Sequence, residues 1–210
     1  MKNNYVHDFD YAGDYDAALY VREGTGALVK GNTVTRAGRD AIQIINRNSE
    51  VSFNDVSASN LIADDCGLLY TLGNGLFINI HHNLFHDVSS RGALFKAAGI
   101  YLDNDATDVQ VHHNVVWNCE WSAIQQNLTC KNNDIFNNTL INCSAALAAW
   151  HKEGTVFTNV RVWNNLTNMN SLEEQADRSN NYVLTSTDNP FVDMANRDFT
   201  LKSGAAPIDY

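Results

Sequence analysis

The sequence predicts an all-β fold in which short strands wind into a single-stranded parallel β-helix, a solenoid, and three observations carry that reading. A six-residue pattern, aliphatic-x-x-Asn-x-apolar, recurs along most of the 210-residue chain. A second pattern, small-aliphatic-x-apolar, follows each of its first six copies. Helical periodicity is missing between them, so each repeat offers two strand signals and no helix. One such repeat cannot bury its apolar side alone, and stacking the copies is what gives them a core.

The Asn pattern starts at Asn4 and returns at Asn32, Asn54, Asn83, Asn114 and Asn138, with a degenerate copy at Asn165. Successive copies are 22 to 31 residues apart, and turns of variable length take up the difference. Equivalent residues of stacked turns sit about 4.8 Å apart. The Asn side chains are therefore expected to form a ladder at a bend, each amide bonding its neighbours or the turn backbone, since Asn tolerates left-handed geometry there. The sequons at Asn127, Asn137, Asn142 and Asn165 are read as by-products of that ladder.

The second pattern gives strands starting near Ala18, Ala41, Gly67, Gly99, Ala123 and Ala146. Stacked turns are expected over 1–172, and an irregular tail over 173–210 packs on or closes the helix. The tail carries Pro190-Phe-Val-Asp193, Asp198-Phe-Thr-Leu201 and Ala206-Pro-Ile-Asp209. It resembles the ending of many bacterial right-handed β-helix proteins, which sets the expected hand. The chain enters directly into an Asn copy with no polar cap, so upstream turns or a partner chain are expected to cover the first rung.

A formal net charge of -10 argues against nucleic acid and anionic membranes as partners, because phosphates need clustered Lys and Arg. No apolar run is long enough to span a bilayer, and the first residues lack the apolar centre of a signal peptide. Cys66, Cys119, Cys130 and Cys143 lack zinc-ribbon or CxxC spacing. Cys119 and Cys143 each follow a repeated Asn by five residues, which puts them in one column as buried free thiols, with a disulfide as the alternative.

Aligning the second strands at their Gly or Ala places Tyr20, Gln43, Leu69, Tyr101, Gln125 and Ala148 in one outward column. Arg22, Ile45, Thr71, Asp103, Asn127 and Trp150 form the next. Aromatic faces pack on pyranose rings, and amides and carboxylates bond hydroxyls, so the surface suits a polysaccharide or oligosaccharide. For any one member alone a solvated sheet face is the better account, and it is the clustering that points to sugar.

Asp103 and Asp105, in an extended segment, would point to one side with α-carbons about 6.5 to 7 Å apart. That approaches the carboxyl spacing of about 6.5 to 9.5 Å with which an inverting glycosidase admits a water. An Asp-Asn-Asp turn bonding its own backbone accounts for the same residues. Asp103, Asn104, Asp105 and Asp108 also offer the hard oxygen ligands of a calcium loop, the one cofactor option.

Three segments, Asp65-Cys-Gly-Leu-Leu-Tyr70, Ile80-His-His-Asn-Leu-Phe-His-Asp87 and Gly99-Ile-Tyr-Leu-Asp-Asn-Asp105, resemble a series found in right-handed β-helix carbohydrate-active proteins, those of glycoside hydrolase family 141 above all. The resemblance implies hydrolysis of glycosidic bonds, with Asp65 and either Asp103 or Asp105 as acid and base, and a secreted or periplasmic location. Leu68, Leu69 and Asn104 depart from that series. On a straight strand Asp65 and Asp103 would lie about 20 Å apart. Either the chain bends near Asp103, or Asp105 is the partner of Asp103, or Asp65 has another role. Lys96 and Arg39 are placed near Asp65, where they hold a substrate carboxylate or neutralise the Asp.

His81, His82, His112 and His113 occupy equivalent positions on adjacent turns, so their imidazoles should stack within metal-binding range. No carboxylate or Cys recurs in their column, and no metal is assigned. Trp117, Trp121, Trp150 and Trp163 are sugar platforms or packing for the tail.

The catalytic set is thus Asp65, Asp103 and Asp105. The binding set is Tyr20, Arg22, Arg39, Gln43, Tyr70, Lys96, Tyr101, Gln125, Asn127 and Trp150. Two other functions stay open: a polysaccharide lyase in which Lys96 or Arg39 takes the proton α to a uronate carboxylate, and a non-catalytic glycan-binding or structural β-helix.

Overall fold

The computed structural model describes residues 1–208, and in it three parallel sheets wind round one apolar core. Sheet 1 has eight strands: Tyr5–Phe9, Thr33–Ala37, Asp55–Ser57, Leu84–Val88, Val115–Cys119, Thr139–Ile141, Leu166–Thr167 and Tyr182–Val183. Sheet 2 has six: Ala17–Thr25, Asp40–Arg47, Cys66–Leu72, Ala97–Asp103, Ser122–Asn127 and Ala145–Trp150. Sheet 3 has seven: Leu28–Lys30, Glu50–Ser52, Ile78–His81, Val109–His112, Asp134–Phe136, Arg161–Trp163 and Asp177–Ser179. The chain visits the three sheets in order up to Leu166–Thr167, after which the last turn passes directly to Asp177–Ser179 of sheet 3, and each strand pairs in parallel with its counterparts one turn away. This is the predicted parallel β-helix.

One aliphatic column per sheet fills the interior. Val29, Val51, Ile80, Val111, Ile135 and Val162 stack in sheet 3, and Val34, Val56, Phe85, Val116 and Leu140 in sheet 1. Ile42, Leu69, Ile100, Ile124 and Leu147 stack in sheet 2. All are at most 1 % exposed, and burying each such side chain contributes about 1.5 to 3 kcal/mol.

The Asn ladder stands at the corner between sheets 3 and 1. Each Nδ2 donates to the Oδ1 of the next turn's Asn, from Asn4 to Asn32 at 2.8 Å and onward through Asn54, Asn83, Asn114, Asn138 and Asn165. Asn165 extends the ladder to Asn181 at 2.9 Å, beyond the seven copies visible as a pattern. The left-handed residue is the one before each ladder Asn: Asn3, Gly31, Phe53, His82, His113, Asn137, Asn164 and Asn180. Turning the corner one residue early corrects the expectation that the ladder residues are themselves left-handed. It leaves each of them free to donate backbone N–H and side-chain amide to the same Oδ1, as Asn32 does to Asn54.

One register correction matters for the site. Gly67 stands opposite Ala98, not Gly99. The two glycines lie on opposite faces: a Cβ on Gly67 would approach Tyr101 Cβ to 3.2 Å outside, whereas one on Gly99 would meet Val116 Cγ1 at 2.5 Å inside. Since a one-residue slip exchanges the faces of a strand, Tyr70 and Leu72 replace Leu69 and Thr71 in the outward columns. Leu69 and Thr71 are fully buried.

Past residue 172, Asp177–Ser179 and Tyr182–Val183 still stack on sheets 3 and 1. An antiparallel pair, Phe191–Asp193 with Asp198–Leu201, then folds back. Its Phe191 and Phe199 pack against Trp117, so that tryptophan serves the tail. Trp163 stacks on Phe136 at 4.5 Å. The four cysteines are free, and the Cys119 N–H approaches Cys143 Sγ at 3.4 Å, as their shared column requires. Among the described residues no helix is long and apolar enough to cross a membrane.

Candidate active site

The outer face of sheet 2 carries a polar network across three turns. Asp103, 9 % exposed, accepts hydrogen bonds from Tyr70 Oη at 2.7 Å, Asn104 Nδ2 at 2.9 Å and Asn127 Nδ2 at 2.9 Å. Asn127 Nδ2 also donates to Tyr101 Oη at 2.7 Å, and Tyr101 Oη donates to Asp65 Oδ1 at 3.1 Å. Gln125 Nε2 fixes Asn127 through its Oδ1 at 2.8 Å, and Ser122 Oγ fixes Gln125 at 2.9 Å. The Tyr70 and Tyr101 rings meet edge to face at 5.3 Å. Burial and the neighbouring Asp103 charge push both phenols well above their ordinary range, so both remain hydrogen-bond donors at any physiological pH.

Parallel stacking explains these meetings. Tyr101 lies opposite Tyr70 and Gln125, and the Asp103 and Asn127 positions are each two residues further along, on the same face. Asp65 joins from before its strand because its backbone is left-handed, φ 59°, and turns the side chain over the sheet. The links Asp65–Tyr101–Asn127–Asp103 measure 3.1, 2.7 and 2.9 Å, so the two carboxylates lie within about 9 Å of each other. The straight-strand separation of 20 Å is thereby overturned, and the bend is at Asp65 rather than at Asp103.

Asp105 goes elsewhere. It is left-handed, φ 66°, and its Oδ1 accepts the Thr129 N–H of the next turn at 2.8 Å. Asp108 is bonded by Thr107 and Asn132, each at 2.9 Å. Of the oxygens offered for calcium, both of Asp103 and both of Asp108 accept hydrogen bonds, as does one of Asp105. Among the described residues no three His, Cys, Asp or Glu side chains are grouped to hold a metal ion.

Lys96 Nζ is 3.8 Å from Asp65 Oδ1 and 5.5 Å above the Trp121 ring, placing it where the sequence reading put it. Arg39 is occupied differently. Its Nη1 is 2.7 Å from Asp40 Oδ2, and its guanidinium lies over Tyr15 and Tyr70 at 4.5 and 5.7 Å. Burial, the largest single influence, opposes its charge, but Asp40 together with Cys66, Tyr70 and Tyr15 outweighs it, and the Arg39 pKa rises. A guanidinium so held cannot serve as a base.

Asp40 is the site residue that the sequence reading missed. It is fully buried, accepts the Gly67 N–H at 2.9 Å through its other oxygen, and burial pushes its carboxyl up to about 7 against the pull of Arg39. The available signal was an Arg-Asp pair at a strand start on the same sheet. At the edges of the face, Arg22 Nη1 donates to Tyr20 Oη at 3.1 Å, and Trp150 is 54 % exposed. Gln43 is buried in the Tyr70 column, its Oε1 without a hydrogen-bond partner among the described residues.

The histidines lie on sheet 3 and the adjoining corner, away from this face. His81 stacks on His112 at 5.1 Å and His82 on His113 at 5.0 Å. Burial lowers the pKa of His81 and His113, and takes His112 down to about 4 with help from its three neighbours.

Fold and site together define a β-solenoid with a polar, aromatic-lined outer face on one sheet. A family model for right-handed β-helix regions matches residues 1–167. The chain belongs to that family. No curated protein and no solved structure matches it.

Proposed function

We propose that this protein hydrolyses glycosidic bonds of a polysaccharide laid across the strands of sheet 2. The observation that carries the reading is the bridged pair Asp65 and Asp103, two carboxylates at most about 9 Å apart on one face, a separation that does not exceed the about 9.5 Å at which one can act as acid and the other as base for a water. Asp65 is the acid because its side chain is 48 % exposed, where a leaving-group oxygen can reach it. Asp103 accepts from three donors, which hold it as the carboxylate that takes a proton from water. Tyr101 and Asn127 hold the pair in register, Arg39 with Asp40 supports the Tyr70 ring from below, and Lys96 keeps Asp65 oriented. Exposed Tyr15 and Trp150 offer ring faces at the two ends for sugar stacking. Asp105 drops out of the catalytic set, because its carboxylate is committed to backbone.

A panel of plant and algal polysaccharides, followed by reducing ends and by the absorbance of unsaturated uronates, tests this. Reducing ends alone, lost in Asp65→Asn and in Asp103→Asn, are the expected result. Unsaturated products would replace the reading with a lyase using Lys96, and binding without products would make the protein a glycan-binding module.

A further inference from the structure

The corner between sheets 3 and 1 carries His81-His82 on one turn and His112-His113 on the next. We propose that each pair chelates one divalent transition-metal ion of the copper(II) or nickel(II) class through its two Nδ1 atoms. Within the pairs these atoms face each other at 2.9 and 2.8 Å. So short a contact needs one N–H and one bare lone pair, since two N–H groups would repel. Each pair therefore already presents a nitrogen lone pair towards its partner. The ring orientations are fixed from outside by Phe53, stacked on His82 at 5.1 Å, and Phe136, stacked on His112 at 4.8 Å.

The bite selects the metal. An ion about 2.0 Å from two nitrogens that are 2.9 Å apart sees them at an angle of about 90°. That suits square-planar or octahedral coordination better than tetrahedral zinc. Glu50 adds a second observation. Its Oε1 lies 3.5 Å from His81 Nε2, which favours the proton on Nε2 and leaves Nδ1 bare, the relation by which a carboxylate orients a metal-binding imidazole. His82 then holds the Nδ1 proton. On binding, that proton passes through solvent to His82 Nε2, so both rings stay neutral and no net proton is released. No third His, Cys, Asp or Glu converges among the described residues, so water completes each shell.

Stacking does not ask for histidine here. The equivalent pairs on other turns are Lys30-Gly31, Ser52-Phe53, Phe136-Asn137 and Trp163-Asn164. Those asparagines also supply the control, since Asn137 and Asn164 adopt the same left-handed corner, φ 53° and 54°. The double variant His82→Asn/His113→Asn should therefore fold like the parent, as its melting curve without metal would verify.

The test is titration of the full chain with copper(II) in a non-coordinating buffer, read by calorimetry and by electron paramagnetic resonance. The parent is expected to take up two more ions than the double variant, with nitrogen coupling, and copper should raise its melting temperature. The variant should bind at those sites at least roughly 10- to 100-fold more weakly, the loss typical when only a ligand's supporting partner is removed. Equal uptake by parent and variant, or bound copper whose coupling to two nitrogens at each site survives the substitutions, would overturn the proposal.

Discussion

The Asn corner and the face of sheet 2 are both held by side-chain hydrogen bonds running from turn to turn, yet they differ in kind. At the corner every turn supplies the same residue, and each amide binds its like on the next turn. On sheet 2 the network joins two tyrosines, Tyr70 and Tyr101, to Asp103 and Asn127, with no single residue repeated from turn to turn throughout, and it ends within three turns. On the turn before, Gln43 Oε1 has no hydrogen-bond partner among the described residues, and on the turn after, the column holds Ala148. Stacking demands the periodic arrangement and gives no reason for the one that stops. The corner is accordingly where stability is expected to reside, and the sheet 2 network is where chemistry is.

Substitutions that strike one region and spare the other can break this division. The largest effect is expected at Asp103→Asn: turnover of a cleaved polysaccharide should fall by about 10² to 10⁴, the usual contribution of a positioned base. Thermal melting should change far less. Asn114→Ala should do the reverse. It strands the Asn83 N–H and removes one bond each from Asn83 Nδ2, the Ile80 carbonyl and Asn138 Oδ1, all buried, while Asn83 Nδ2 keeps its Val51 and His81 carbonyls and Asn138 Oδ1 keeps the backbone N–H of residue 114. At about 1 to 3 kcal/mol for an unmet buried group, partly relieved by relaxation, the loss should be about 2 to 4 kcal/mol. Denaturant titration reads it directly, and specific activity per folded molecule should hold. Gly99→Ala comes next, because the new Cβ would lie 2.5 Å from Val116 Cγ1 and 2.6 Å from the Ala123 carbonyl oxygen. Overpacking of that kind costs about 1 to 3 kcal/mol. Were Gly99→Ala neutral, the inward assignment of Gly99, and with it the register that joins Tyr70 to Tyr101, would need revision.

The same division accounts for what could be read from the sequence. The ladder was legible because Asn32, Asn54, Asn83, Asn114 and Asn138 repeat one chemical role at one position. The core columns were legible for the same reason. Asn181 was missed because its turn is short, 16 residues after Asn165, and lacks the preceding aliphatic motif. In the site, Asp103, Tyr101 and Asn127 fell into place once strands were aligned on small residues, but the alignment slipped at Gly67, whose small side faces outward while that of Gly99 faces inward. Asp65 was legible only by resemblance, since the left-handed turn that brings it over the sheet leaves no mark in hydrophobic periodicity. Asp40 was invisible because a carboxylate at a strand start reads as solvated until its burial is known.

The mildest substitution tests whether the network acts as a unit. Tyr101→Phe keeps the ring that packs on Tyr70 and Trp121 and deletes the hydroxyl that accepts from Asn127 and donates to Asp65. Asn127 retains its bond to Asp103, and Asp65, half exposed, regains water, so stability should drop by only about 0.5 to 1.5 kcal/mol. If the bridge positions the carboxylates, a comparable amount should appear in the transition state, a loss of up to about tenfold in kcat. It should shrink once Asp65→Asn has already removed the carboxylate that the hydroxyl positions. A double-mutant cycle in kcat measures that coupling. Full additivity of Tyr101→Phe with Asp65→Asn would mean that the two carboxylates share a face without sharing a mechanism, and the contrast with the Asn corner would then be one of composition only.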